Sequence, residues 1–102
     1  MQTKTEEEKM TLEQMLEYVR SVPWVFAKTM VETPHEYTLR RASPDREAEF
    51  EAAVMFIREH GYKAKFGRTT YTYFDIDGWQ YWTMGAPVAS TILINRAKKK
   101  DG

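Results

Sequence analysis

The sequence predicts an α+β domain in which an antiparallel sheet of four to five strands packs against two helices. One indication is the dipeptide Asp77-Gly78, which tolerates positive φ at both central positions of a type I′ turn and separates two aromatic, β-branched runs. The other indications are two amphipathic segments, at about 11–21 and 44–60, with apolar residues at helical spacing. The 102 residues are expected to form one domain centred on a hairpin over 69–84.

A two-residue turn also determines which side chains of the hairpin share a face. One face is expected to carry three pairs: Ile76 with Trp79, Phe74 with Tyr81, and Thr72 with Thr83. The other is expected to carry Asp75 with Gln80, Tyr73 with Trp82, and Tyr71 with Met84. Both faces are aromatic, which is more than a single buried face requires.

Both helices carry recognisable end signals. Thr11 can cap the first helix, with Gln14 three residues later as the partner of a capping box. Ser43 precedes Pro44 at the expected start of the second helix, where a proline has no N–H to lose. We expect Gly61 to adopt the left-handed conformation that glycine commonly takes after a helix.

Three further segments are predicted to add strands to the hairpin, and a fourth segment is ambiguous. Residues 35–41 and 62–66 alternate between polar and apolar side chains, and 91–95 is rich in β-branched residues. Residues 24–27 are apolar and fit either a short strand or a buried connector. In 62–66 the alternation predicts that the two lysines point to solvent and that the other three side chains point inward.

Charge and composition narrow the functional classes. The absence of cysteine excludes disulfides and thiolate metal sites, and the 15 basic and 15 acidic residues cancel. Residues 1–60 hold 8 basic and 12 acidic side chains and residues 61–102 hold 7 and 3, so the second part can face an acidic partner. Alternatively, the lysines at 98–100 form only a solvated tail. The ends, 1–9 and 98–102, are expected to be flexible.

The sequence also gives an expectation for where the protein lies in the cell. Its apolar runs are too short to span a bilayer. Its acidic, polar N-terminus is unlike a signal peptide. We therefore expect a cytoplasmic protein without a membrane partner.

No catalytic, cofactor or metal-binding motif is present, so neither a cofactor nor a metal is expected. Of the two histidines, His35 is the better candidate for acid–base catalysis, together with Tyr37, Arg40 and Asn95. The alternative is that His35 is a loop residue bonded to backbone. His60 is expected to be structural, at the end of the second helix.

The aromatic hairpin is the strongest candidate for ligand binding. Its rings could stack on nucleic-acid bases while nearby basic side chains hold the phosphates, and Arg96 could clamp a phosphate or carboxylate. The expected ligand-binding residues are Tyr71, Tyr73, Trp82, Lys63, Lys65, Arg68 and Arg96. The alternative is that Trp24, Phe26 and the first helix cover this face, so that the sheet is buried on both sides.

Four segments also carry a resemblance: 23–30 (PWVFAKTM), 34–38 (PHEYT), 81–87 (YWTMGAP) and 91–97 (TILINRA). This pattern resembles small proteins of unknown function from bacteria and their phages. Similar segments precede a class I methyltransferase domain in some bacterial proteins. The chain is too short for a methyltransferase fold and lacks its glycine-rich loop, so the resemblance implies an accessory module of mobile DNA and no cofactor.

Three functional hypotheses follow. The leading one is a small non-enzymatic binding module that contacts nucleic acid or a nucleotide through an aromatic and basic sheet face. The second is a protein-interaction module, such as a phage or mobile-element accessory or inhibitor protein. The third is a small enzyme that uses His35. Which face of the hairpin is exposed decides between an aromatic binding site and an aromatic core.

Overall fold

The computed structural model describes residues 9–27 and 34–99, and it confirms the predicted α+β class. The helices are α1 (Leu12–Ser21) and α2 (Glu47–His60). The strands are β1 (Val25–Ala27), β2 (His35–Leu39), β3 (Tyr62–Phe66), β4 (Thr69–Ile76), β5 (Trp79–Met84) and β6 (Leu93–Lys98). They form one antiparallel sheet in the order β1-β2-β6-β5-β4-β3, so the sheet has six strands instead of four to five.

The central hairpin has the predicted register. All six predicted pairs between β4 and β5 are present, from Ile76 opposite Trp79 to Tyr71 opposite Met84. Asp77 has φ of 58° and Gly78 has φ of 80°, as a type I′ turn requires. Turn chemistry and period-two alternation are therefore sufficient to define this part of the fold.

The ends of the helices differ in how closely they follow expectation. At α1 the Thr11 hydroxyl accepts from the Gln14 N–H at 3.1 Å, and Gln14 Oε1 accepts from the Thr11 N–H at 2.9 Å, which completes the capping box. At α2 the side chain of Ser43 makes no capping bond. The chain instead forms a 3₁₀ turn over Pro44–Arg46, and the α-helix begins at Glu47.

The prediction for Gly61 is wrong. Its φ is −91°, in the extended region that any residue adopts. Glycine is needed for space, because an added Cβ would lie 2.2 Å from the Tyr73 carbonyl oxygen and 2.6 Å from that of Ile57.

The last strand begins and ends later than predicted, at Leu93–Lys98 instead of 91–95. It pairs with β2 on one side and β5 on the other, so it is central. Asn95 and Arg96 therefore lie in the middle of the strand, on opposite faces of the sheet.

Both helices lie on one face of the sheet, which we call the helix side. There, residues of α1 and α2 pack with Tyr81 of β5 and Ile94 of β6 in one buried cluster. Phe74, Ile76 and Trp79 pack against the same cluster. The opposite face, which we call the open face, carries the other half of each strand's side chains. Neither helix of the described chain is long and apolar enough to span a membrane.

Candidate binding surface on the open face

The open face presents a row of aromatic rings that crosses the sheet. The His35 and Trp82 ring centroids are 5.5 Å apart, those of Trp82 and Tyr73 are 5.8 Å apart, and those of Tyr73 and Tyr62 are 5.8 Å apart. The row therefore joins β2, β5, β4 and β3. Register explains the part of the row in β5, β4 and β3, because Trp82 lies opposite Tyr73 and Tyr73 lies opposite Tyr62. His35 reaches Trp82 across β6, which lies between β2 and β5.

The row widens at the β3 end. Phe66, Tyr71 and Tyr73 form a triangle of rings with centroid separations of 6.3, 6.4 and 6.3 Å. Phe66 is 63% exposed and Tyr62 is 50% exposed. The prediction that these two side chains point inward is wrong. Their strand lies at the sheet edge, and the helices cover the other face.

This aromatic surface forms the floor of a broad concavity of about 1080 Å³. The rings of Tyr71, Tyr73 and Trp82 line it, and His35 and Asn95 add polar groups. The alternative expectation, in which Trp24, Phe26 and the first helix cover this face, does not hold for the described chain. Trp24 packs against Tyr81 on the helix side, with centroids 6.0 Å apart.

The connection between β5 and β6, which forms one wall of the concavity, is hydrogen-bonded to α2. Arg58 Nη2 donates to the Met84 carbonyl at 2.9 Å and to the Thr91 hydroxyl at 3.2 Å, and it also donates to the Ala86 carbonyl. Burial lowers the pKa of Arg58 from its usual value. These bonds hold the connection between β5 and β6 beside the open face.

The open face carries little charge. Its acidic residue in β4, Asp75, accepts a bond from Lys99 Nζ at 2.9 Å, which raises the pKa of Lys99. Gln80 donates to the Tyr62 hydroxyl at 3.0 Å. Burial, followed by its tyrosine neighbours, raises the pKa of Tyr73, so the phenol stays neutral. The surface therefore favours stacking and apolar contact over the binding of a polyanion.

The structure separates the predicted basic residues from the rings. Lys63 lies opposite Thr72 and Lys65 opposite Thr70, so both lysines point to the helix side. Arg68 lies in the exposed turn between β3 and β4. The predicted site, with aromatic and basic side chains on one face, is not assembled.

Arg96 is also on the helix side, where it is already engaged. Its guanidinium carbon lies 4.0 Å from the Trp24 ring centroid and 3.9 Å from that of Trp79. Nε donates to Glu36 at 2.8 Å, and Nη1 donates to the Tyr81 hydroxyl at 3.4 Å. These contacts fit a structural role for Arg96, and its predicted role as a ligand clamp stays a prediction.

The four residues of the candidate catalytic group do not converge. His35, Tyr37 and Asn95 share the open face, with Tyr37 directly opposite Asn95. Arg40 is on the helix side, where Nη1 bonds to Glu47 at 2.9 Å and to Glu51 at 2.6 Å.

His60 lies outside the open face. Its ring stacks on Phe56 with centroids 4.2 Å apart, and Nδ1 is 3.1 Å from the Phe56 carbonyl. These contacts fit the expected structural role. Within residues 9–27 and 34–99, no cluster of three or more His, Cys, Asp or Glu side chains could hold a metal ion.

Comparison with known proteins adds no relative: no family model, no curated protein and no solved structure matches the chain.

Proposed function

We propose that this chain is a small protein-interaction module whose binding surface is the open aromatic face. The observation that carries the proposal is that the helices cover only one face of the sheet. Both helices pack on that face, and the other face presents a continuous row of rings from His35 to Tyr62. Tyrosine and tryptophan dominate the binding energy of protein interfaces because they add large contact area with few rotatable bonds. Large exposed apolar patches on small proteins mark such interfaces.

The charges of the surface support a protein partner ahead of nucleic acid. Non-specific nucleic-acid binding depends on cations that neutralise phosphates. Lys63 and Lys65 lie on the other face, and Arg96 is enclosed by two tryptophans and Glu36. Asp75 and Lys99 neutralise each other at 2.9 Å. A neutral aromatic surface fits an interface core, where charged residues are depleted.

The test compares the wild type with Trp82→Ala as bait in an extract of the source cells. Trp82 is the centre of the row, in contact with His35 and Tyr73. Met55→Ala is the matched control, since Met55 is an exposed apolar side chain of α2. We expect a partner that Met55→Ala retains and that Trp82→Ala binds about 30-fold more weakly, as for a central aromatic residue. A partner that both variants retain would place the interface elsewhere.

A second candidate, binding of single-stranded nucleic acid, is favoured by the aromatic row itself. Its four rings follow one another with centroids 5.5 to 5.8 Å apart, and successive bases of a single strand stack on aromatic side chains. Fluorescence anisotropy with a labelled oligothymidylate at low salt tests it. We expect Trp82→Ala to weaken such binding about tenfold, the loss of one stacked base. If wild type does not bind at low salt, this candidate is excluded.

A further inference from the structure

The outer edge of β3 is the second surface suited to a protein partner. β3 has five residues and is the last strand of the sheet, and β4 is its one strand partner among the residues described. Its outward backbone N–H and C=O groups can therefore pair with an added strand. The opposite edge strand, β1, has three residues and offers a shorter template.

The two sides of β3 differ in chemistry. On the helix side, Lys63 and Lys65 are exposed, and neither takes part in the seven ion pairs of the described residues. On the open face, Tyr62 and Phe66 are 50% and 63% exposed, with the small Ala64 between them. An adjacent strand would meet two cations on one side and a notch between two rings on the other.

From this pattern we infer that β3 accepts an extended segment of a partner protein in which acidic and apolar residues alternate. The segment adds as a seventh strand. Its carboxylates lie beside Lys63 and Lys65, and its apolar side chains cover Tyr62 and Phe66 and extend the open face. The inference rests on the proposed protein-interaction function and names the chemistry of the partner.

A second copy of this chain is a poor occupant of the same edge. Antiparallel pairing of β3 with β3 of another copy would bring Lys63 and Lys65 of the two copies close together. Like charges on neighbouring strands are destabilising. Lysines on an edge strand prevent self-pairing in this way, and the same lysines favour an acidic strand.

The test uses fluorescein-labelled nine-residue peptides and fluorescence anisotropy. The first peptide alternates Glu and Val, the second alternates Lys and Val, and the third is the first with N-methylated amides at alternate positions. We expect the Glu–Val peptide to bind at least about tenfold more tightly than the Lys–Val peptide, because two cross-strand ion pairs are gained. N-methylation should abolish binding, because it removes donors to the edge. Amide exchange of 62–66 should slow in the complex.

Charge reversal at the edge supplies the control within the protein. The double variant Lys63→Glu, Lys65→Glu should prefer the Lys–Val peptide, and Lys63→Gln, Lys65→Gln should lose the preference. Arg41→Gln removes an exposed cation from the 3₁₀ turn after β2 and should preserve it. Equal binding of both peptides, or tight binding without protection of the β3 amides, overturns the inference.

The outcomes for the edge and for the open face are separable. If the Glu–Val peptide does not bind but Trp82→Ala loses the cellular partner, the edge inference fails and the proposed function stands. If the peptide protects β3 but Trp82→Ala retains every partner, the open face is not the interface and the edge inference stands. Self-association of the wild type through β3 would also contradict the inference.

Discussion

Arg96 joins three elements on the helix side of the sheet. Its guanidinium lies between Trp24, which follows α1, and Trp79 of β5, and it bonds to Glu36 of β2. Each desolvated cation–π contact contributes up to about 2 kcal/mol. Loss of the guanidinium would also leave Glu36 without its ion-pair partner. Arg96 therefore contributes to stability through several contacts at once.

The first prediction concerns Arg96→Met, which preserves most of the side-chain volume and removes the charge. We expect the free energy of unfolding, measured with urea, to fall by about 2–4 kcal/mol. Arg41→Met is the control and should change it by less than about 0.5 kcal/mol, because Arg41 is exposed. If Arg96→Met is as stable as wild type, the contacts of Arg96 do not stabilise the fold, and the residue would be available for a ligand.

The second prediction concerns alkaline pH. Burial raises the pKa of Tyr18 to about 12, against a small opposing effect of Arg46. Below pH 10 the phenol is protonated in both states, so it adds no pH dependence. Between pH 10 and 12 it ionises only in the unfolded chain, so the free energy of unfolding should fall by about 2–3 kcal/mol.

The control for this prediction is Tyr18→Phe. Urea denaturation from pH 9 to pH 12 should show a shallower decline for this variant than for wild type. Tyr62→Phe should follow wild type, because Tyr62 is half exposed and on the open face. Equal declines for all three proteins would contradict the burial of the Tyr18 phenol.

Secondary elements differ in how far they depend on local sequence. The hairpin was predictable in full because the φ values of Asp77 and Gly78 and the alternation of 69–84 are local properties. The bounds of β6 were not, because they depend on pairing with β2 and β5. The β-branched composition favours a strand over 91–95. In the structure Thr91 precedes the strand, where it is buried and bonded to Arg58, and Arg96 belongs to the strand and pairs with Glu36 of β2.

The third prediction concerns the junction between α2 and β3. Gly61→Ala should lower the free energy of unfolding by at least about 2 kcal/mol, because the new Cβ would clash with two carbonyl oxygens 2.2 and 2.6 Å away. Gly61→Asn distinguishes this steric clash from the alternative cause, the loss of a left-handed helix cap. Asparagine is tolerated at such caps, so it would restore stability there. Here we expect it to destabilise at least as much as alanine.

At the scale of the molecule, the proposed function depends on which face of the sheet the helices cover. Two helices of 10 and 14 residues cover one face of a six-stranded sheet. The sequence predicts aromatic side chains on both faces of that sheet. Neither periodicity nor turn chemistry decides between the faces, because the choice depends on long-range packing of α2 against Phe74 and Tyr81.

The mixed success of the site prediction has the same origin. Alternation correctly places Lys63 and Lys65 on one side of β3 and Tyr62 and Phe66 on the other. It does not say which side meets the helices. Tyr71, Tyr73 and Trp82 were expected to share a face and do so, but the cations expected beside them are on the helix side.

The most direct test of two functionally different sheet faces is the stability of Trp82→Ala measured against that of Tyr81→Ala. These neighbouring residues point to opposite faces, and Tyr81 is 1% exposed in the buried cluster. In urea denaturation we expect Tyr81→Ala to lower the free energy of unfolding by about 3–5 kcal/mol, and Trp82→Ala by less than about 2 kcal/mol. Equal losses would show that Trp82 belongs to a core and that the aromatic face is not a binding surface.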